Sequence, residues 1–346
     1  MSTTRLQEVL IAFGKGKQTD IATAQAAGAM WSLRKLNAQL IDPKLAIEDD
    51  SAEYGKGHEF ATATYKTSWS TAGTLEKYLS AEIAAWAMAF GLGKVVKSGG
   101  AGNYTYTCTP LMPSAGDSAE LPYFSFCEQI LPGAGVVLDR LMIGQAVEGW
   151  QISIGSGPGR ANSKITVEML GSGKVTDSAT GITIPAATVE KLLPSASLAV
   201  SINGTDYVTN KNIVSLESGW KNNIRDGDGF FPGSGFQGAD ATTGAIRGRL
   251  EFGNRVGNLK FVVRLDSTSP EYAALRAQTT GTAVITLTYD VNNSLSLTWQ
   301  KIAYSAVTIG ETNQIATVAV DCVPQYHTTN GILTAVAKCT VDGICQ

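Results

Sequence analysis

Residues 149–173 read Gly149-Trp150-Gln151-Ile152-Ser153-Ile154, then a glycine-rich turn, then Ser163-Lys164-Ile165-Thr166-Val167-Glu168-Met169-Leu170-Gly171-Ser172-Gly173. Apolar and polar side chains alternate with a period of two. Trp150, Ile152 and Ile154 fall on one face, and Ile165, Val167 and Met169 oppose Lys164, Thr166 and Glu168. Successive side chains of a strand point to opposite faces, so this pattern predicts antiparallel strands with one face buried and one in water. The alternation extends outward on both sides. Residues 60–70 set Ala61, Ala63, Tyr65 and Trp69 against Thr62, Thr64, Lys66 and Ser68, and 246–252 set Ile246, Leu250 and Phe252 against Arg247, Arg249 and Glu251. A strand is expected over 213–220, followed by sets at Phe261, Val263 and Leu265, at Ile285, Leu287 and Tyr289, and at Leu295, Leu297 and Trp299.

Two segments break this rhythm. Leu75, Tyr78, Leu79, Ile83, Trp86 and Phe90 recur at spacings of three and four, which predicts an amphipathic helix capped by Thr74 and stopped by Gly91 and Gly93. Ser269-Pro270-Glu271 opens a second helix that runs to about Gln278, with serine as cap and proline in the first turn.

Composition narrows the class. Of 346 residues, 44% are hydrophobic and 16% charged, with 37 glycines and 27 basic against 30 acidic residues for a net charge of -3. Such a chain is too apolar and too weakly charged to stay disordered. No apolar run approaches the ~18–20 residues of a spanning helix, and no membrane partner is expected. The amino terminus lacks the basic, apolar and small-residue regions of an export signal. Five cysteines occur without a CxxC pair and read as mostly reduced, with Cys339 and Cys345 close enough in sequence to close a small loop. A near-neutral total argues against a protein that grips nucleic-acid phosphates.

Residues with catalytic or ligating chemistry do not converge. Two histidines, His58 and His327, leave no material for a histidine triad or a multi-histidine metal site. The glycines at 155, 157 and 159 miss the dinucleotide spacing, and Asp226-Gly-Asp-Gly-Phe230-Phe231 lacks the closing glutamate of a calcium loop. The densest acidic cluster, Glu48, Asp49, Asp50 and Glu53, reads as a solvated loop. No enzyme activity, metal or cofactor is expected.

The order of elements resembles the tail tube proteins of long-tailed bacteriophages. An early strand and loop over 31–57, a threonine-rich strand over 60–69 and a helix over 75–93 resemble the first half of that family. The 149–173 hairpin, the 213–223 strand, a glycine-rich loop and Ala245-Ile-Arg-Gly-Arg-Leu-Glu-Phe252 resemble the second half. The likeness covers most of 30–300 and rests on architecture and length more than on any single motif.

The resemblance implies a mainly β chain: an antiparallel β-sandwich or partial barrel with one main flanking helix and a second short helix. Residues 1–30 form an amino-terminal segment and 31–329 one elaborated domain, with insertions within 95–145 or 175–212. Residues 330–346 form an arm or an added edge strand. It further implies a structural virion protein, made in the host cytoplasm, that polymerises as stacked, usually sixfold rings. Its partners are then itself, tape measure and terminator proteins, and duplex DNA that passes the lumen without tight binding. The 75–90 helix is expected on the outer side of the sheet with Trp86 buried. The loop 42–58, with Glu48, Asp49, Asp50, Glu53, Tyr54 and Lys56, is the candidate contact between rings. The loop 226–244, with Asp226, Asp228, Phe230 and Phe231, is the second assembly candidate. The alternative is a β-rich carbohydrate-binding or adhesion module of a fibre or baseplate, with Trp220 and Trp299 stacking on sugars.

Overall fold

The computed structural model describes residues 9–26, 29–32, 34, 36, 41–52, 57–130, 138–155, 163–177, 184–186, 189–225, 229–265, 270–312 and 314–346. The chain is mainly β and antiparallel, as the alternation predicts. Its first half contains β1 (Val9–Gly14), β2 (Met30–Ser32), β3 (Asp42–Asp49), β4 (Thr64–Tyr78), α1 (Ala81–Leu92), β5 (Gly93–Gly100), β6 (Asn103–Pro110), β7 (Phe124–Ile130), β8 (Leu138–Gly155) and β9 (Lys164–Asp177). Then follow β10 (Ala199–Ile202), β11 (Thr205–Asp206), α2 (Tyr207–Lys211), β12 (Ile213–Lys221), β13 (Val256–Arg264), α3 (Pro270–Ala277), β14 (Thr280–Asp290), β15 (Asn293–Thr312), β16 (Ile315–Pro324) and β17 (Leu333–Cys339).

Among the described residues these strands form one hydrogen-bonded network that does not close on itself. Two long strands branch it. β8 pairs with β9 along one edge and shares its opposite edge between β7 and β12. β9 leads on to β4 and β3, and β7 leads to β1 and β2. β12 continues through β13 and β16 to β15, which pairs with β14 on one edge and with β16 and β17 on the other. β17 carries β6 and β5. The inward residues read from the alternation in β8, β9, β14 and β15 are buried, except Tyr289 at the β14 end; in β13, Phe261 and Val263 are buried while Leu265 lies past the strand.

The first helix departs from expectation in two ways. It begins at Ala81, capped by Ser80, whose Oγ accepts from the Ile83 N–H at 3.3 Å, so Thr74, Leu75 and Tyr78 belong to β4. Leu75, Lys77 and Leu79 form an inward period-two set, and a charged lysine in the middle hides it from a hydrophobicity count. Lys77 is buried against the Glu190 carboxylate, which also accepts from Ser80 Oγ at 2.9 Å, and burial lowers the Lys77 pKa.

Secondly, every residue of α1 is buried, so there is no apolar stripe and no outer face. The helix lies enclosed between β8 and the branch formed by β15, β17, β6 and β5. Trp86 is buried as expected, its ring 5.2 Å from Phe13 and 4.8 Å from Phe124, with its Nε1 donating to the Gly14 carbonyl at 3.0 Å. β1 is therefore part of this core. Gly93 ends the helix at φ 89°, a left-handed conformation that costs a glycine little.

At its far end α1 meets Asn222. The Asn222 Nδ2 donates to the carbonyls of Gly91 at 2.8 Å and Val147 at 2.9 Å, while its Oδ1 accepts from Trp220 Nε1 at 2.8 Å. A helix carbonyl that lacks an intrahelical partner is thus satisfied inside the core.

The carboxy terminus is neither arm nor edge strand. β17 is paired on both sides, and two of the residues after it pack inward. Ile344 and Cys345 are buried, the Cys345 N–H donates to the Lys15 carbonyl at 2.8 Å, and the Lys17 N–H donates to the Gln346 carbonyl at 3.2 Å. The second predicted helix is present as α3, with Ser269 outside the described residues. The five-residue α2 was not expected.

Candidate assembly surfaces

The first candidate loop lies at the end of the β3–β4 hairpin. Asp50 is buried, and its carboxylate accepts from the Thr62 N–H at 2.7 Å, the Ala63 N–H at 3.1 Å and the Thr62 hydroxyl. It therefore latches the two ends of the loop together instead of facing a neighbour, which corrects its reading as a solvated contact. Asp49 accepts from the Ser51 N–H at 2.9 Å and is exposed, as is Glu48, whose Cα is paired across the ladder with Tyr65. Glu53, Tyr54 and Lys56 lie outside the described residues.

This hairpin projects with both faces in water over its outer half. Ile47 is 59% exposed, Phe60 68% and Tyr65 52%. The alternation over 60–70 is present in sequence, yet Ala61 lies exposed before β4 begins. No second layer lies beneath this end of the ribbon among the described residues.

The second candidate loop is stitched to the base of the same hairpin. Trp69 Nε1 donates to the Thr243 carbonyl at 2.6 Å, the Trp69 N–H to the Ala245 carbonyl at 2.7 Å, and the Ala245 N–H to the Thr67 carbonyl at 2.9 Å. Gly173 sits close by at φ 91°, where a Cβ would stand 2.3 Å from the Trp69 carbonyl oxygen. Asp226 and Asp228 lie outside the described residues. Phe230 packs under the Arg247 guanidinium at 4.9 Å, and Phe231 is 43% exposed with its ring edge against Gly248.

The strand expected over 246–252 is absent. Ile246 and Leu250 are buried, but Arg247, expected on the wet face, is buried as well. Its Nη1 donates to the Gly171 carbonyl at 2.8 Å, and desolvation lowers its pKa to about 10.

A third surface was not read as a site. On the outward face of β4, β9, β8, β12, β13 and β16, charges pair across strands: Lys164 with Glu76 at 3.3 Å, Lys221 with Glu168 at 3.4 Å and Lys260 with Asp321 at 3.4 Å. Gln151 donates to Glu217 at 3.3 Å. Gly149 and Gly219 leave a shallow hollow of about 340 Å³ between these pairs. Exposed pairs of this kind add only about 0–1 kcal/mol each to stability. Their larger effect is electrostatic, because each positive charge is neutralised beside a negative one. The alternating Lys164, Thr166 and Glu168 carried the signal, and the partner strands could not be read from local sequence.

Among the described residues the two histidines lie far apart in the fold and do not share a site. His58 is exposed and His327 half-buried, and His327 Nδ1 accepts from the Thr329 and Asn330 N–H groups within its own turn. Among the described residues no group of three His, Cys, Asp or Glu is placed to hold a metal, and no helix is long and apolar enough to cross a membrane. All five cysteines are free and buried, so Cys339 and Cys345 are not bonded to each other. Trp220 and Trp299 are buried with ring centroids 6.4 Å apart, which removes them as sugar-stacking platforms. No known family model matches the chain, and no curated protein matches it either.

Proposed function

We propose that the chain is a structural subunit of a phage tail tube, assembling into rings that stack into a conduit for double-stranded DNA. The observation that carries this reading is the β3–β4 hairpin with both faces exposed and with Ile47, Phe60 and Tyr65 in water. A two-stranded ribbon without a core beneath it is marginal on its own, and large apolar side chains on it mark a surface for a neighbour to cover. The tip of the β15–β16 hairpin repeats the arrangement with Ile309 and Ile315 exposed.

In this role the β3–β4 hairpin, with Glu48 on it, reaches the next ring, and the 229–245 loop braces its base. The charge-paired sheet face lines the channel, where a surface with few free cations lets a polyanion slide. Tape measure and terminator proteins are the further partners. Light scattering and negative-stain electron microscopy of the purified protein test the proposal. Rings or tubes are the expected result; a monomer at every concentration that binds glycans overturns it in favour of a carbohydrate-binding module.

A further inference from the structure

We infer that copies of the chain join head to tail by pairing the free edge of β3 in one copy with the free edge of β5 in the next. This rests on the polymerising role proposed above and names the surfaces that carry it. Among the described residues, β3 pairs only with β4, and β5 only with β6. Both have eight residues, whereas the other singly paired strands, β2 and β11, have three and two. An unpaired edge presents a row of backbone N–H and C=O groups to any second strand that fits.

Charge selects which edges meet. β3 carries Asp42, Glu48 and Asp49 against one base, Lys44, while β5 carries Lys94 and Lys97 and no acid. Two β3 edges would set acid against acid, and two β5 edges lysine against lysine; both are disfavoured. β3 on β5 brings opposite signs together. Lys94 already holds Asp117 at 3.0 Å and Lys97 holds Asp342 at 2.7 Å, but these are solvent-screened surface pairs whose partners exchange readily. Each edge also bears an exposed apolar side chain that pairing covers, Ile47 at 59% and Val96 at 62%. Pro43 and the ladder irregularity between Ala46 and Ile47 restrict the register and keep β3 from unrelated strands. Because the two edges differ, the contact is heterologous: each copy offers one edge and accepts on the other, so repetition closes a ring or extends a filament.

Charge reversal tests the pairing. One variant carries Asp42→Lys with Glu48→Lys, the other Lys94→Glu with Lys97→Glu; circular dichroism and thermal denaturation establish that each is folded. Sedimentation velocity then reads assembly. Each variant alone is expected to need a protein concentration higher by roughly tenfold or more. An equimolar mixture recovers wild-type assembly, because every edge then meets one of opposite sign. Unchanged assembly of either folded variant alone, or no recovery in the mixture, overturns the pairing while leaving the polymerising role intact. A wild-type chain that stays monomeric overturns that role as well.

Discussion

The carboxylate of Asp50 accepts a hydrogen bond at 2.7 Å from the backbone N–H of Thr62, closing the loop between β3 and β4. Two more donors, the Ala63 N–H and the Thr62 hydroxyl, converge on the same buried group. Asp50→Ala leaves both N–H groups without their acceptor and is expected to cost about 1–3 kcal/mol. Chemical denaturation measures the loss. Asp50→Asn, which keeps one acceptor oxygen, is expected to recover part of it. Equal stability of the alanine variant and the wild type would show that the latch is not needed.

Asn222 is the only side chain among the described residues for which hydrogen bonds are found to both the Gly91 and the Val147 carbonyls. Asn222→Leu matches its size while removing both donors and the acceptor of Trp220 Nε1, and about 2–4 kcal/mol of stability is expected to go with them. Asn222→Asp is expected to be worse still, since an acid aims negative charge at two carbonyl oxygens. Urea midpoints for the two variants check the order.

Glu82 gives a pH signature. It is buried at the start of α1 and accepts from the Lys191 N–H at 3.0 Å, yet burial dominates and raises its pKa above the usual 4.5. A raised folded pKa means that the folded state holds the proton longer than the unfolded one. The stability from this group is therefore complete below about 4.5 and is lost as pH rises through the elevated folded value. Glu82→Gln keeps an acceptor and removes the titration. The difference in melting temperature between variant and wild type is expected to grow in favour of the variant as pH rises from 4 to 7. A pH-independent difference would contradict this.

The paired charges on the outer sheet face predict weak, sequence-independent DNA binding by the wild type. Glu168→Lys with Glu217→Lys frees Lys221 from its partner and adds two cations to the same face. Duplex affinity is expected to rise, and to fall with added salt with a slope near one per phosphate contacted. Fluorescence anisotropy at two salt concentrations reads both. No gain in affinity would mean that this face does not meet the duplex.

Much of the β architecture was legible because burial on one side of a strand writes itself into sequence with a period of two, as at Trp150, Ile152 and Ile154. The misreadings have physical causes. Lys77 occupies an inward position through an ion pair with Glu190, more than a hundred residues away, so the end of β4 passed for a helix. Arg247 is buried by a bond to the Gly171 carbonyl, which no local pattern reveals. The candidate surfaces were legible as loops only. That 243–245 is tied to 67–69, or that acids on β3 and lysines on β5 lie along free edges, follows from pairings distant in sequence.

The packing around α1 bears on how fast the subunit folds. Cys345 sits against the carbonyl of Ala89, 256 residues away in sequence, and its N–H is tied to the Lys15 carbonyl. Phe13 and Gly14 of β1 hold Trp86 of the same helix. The core therefore closes only when segments far apart in sequence have met. Such non-local topologies fold slowly, on the order of milliseconds to seconds or longer. Until they do, the free strand edges stand open beside an uncovered helix, and the fully covered helix separates a folded subunit from one still folding.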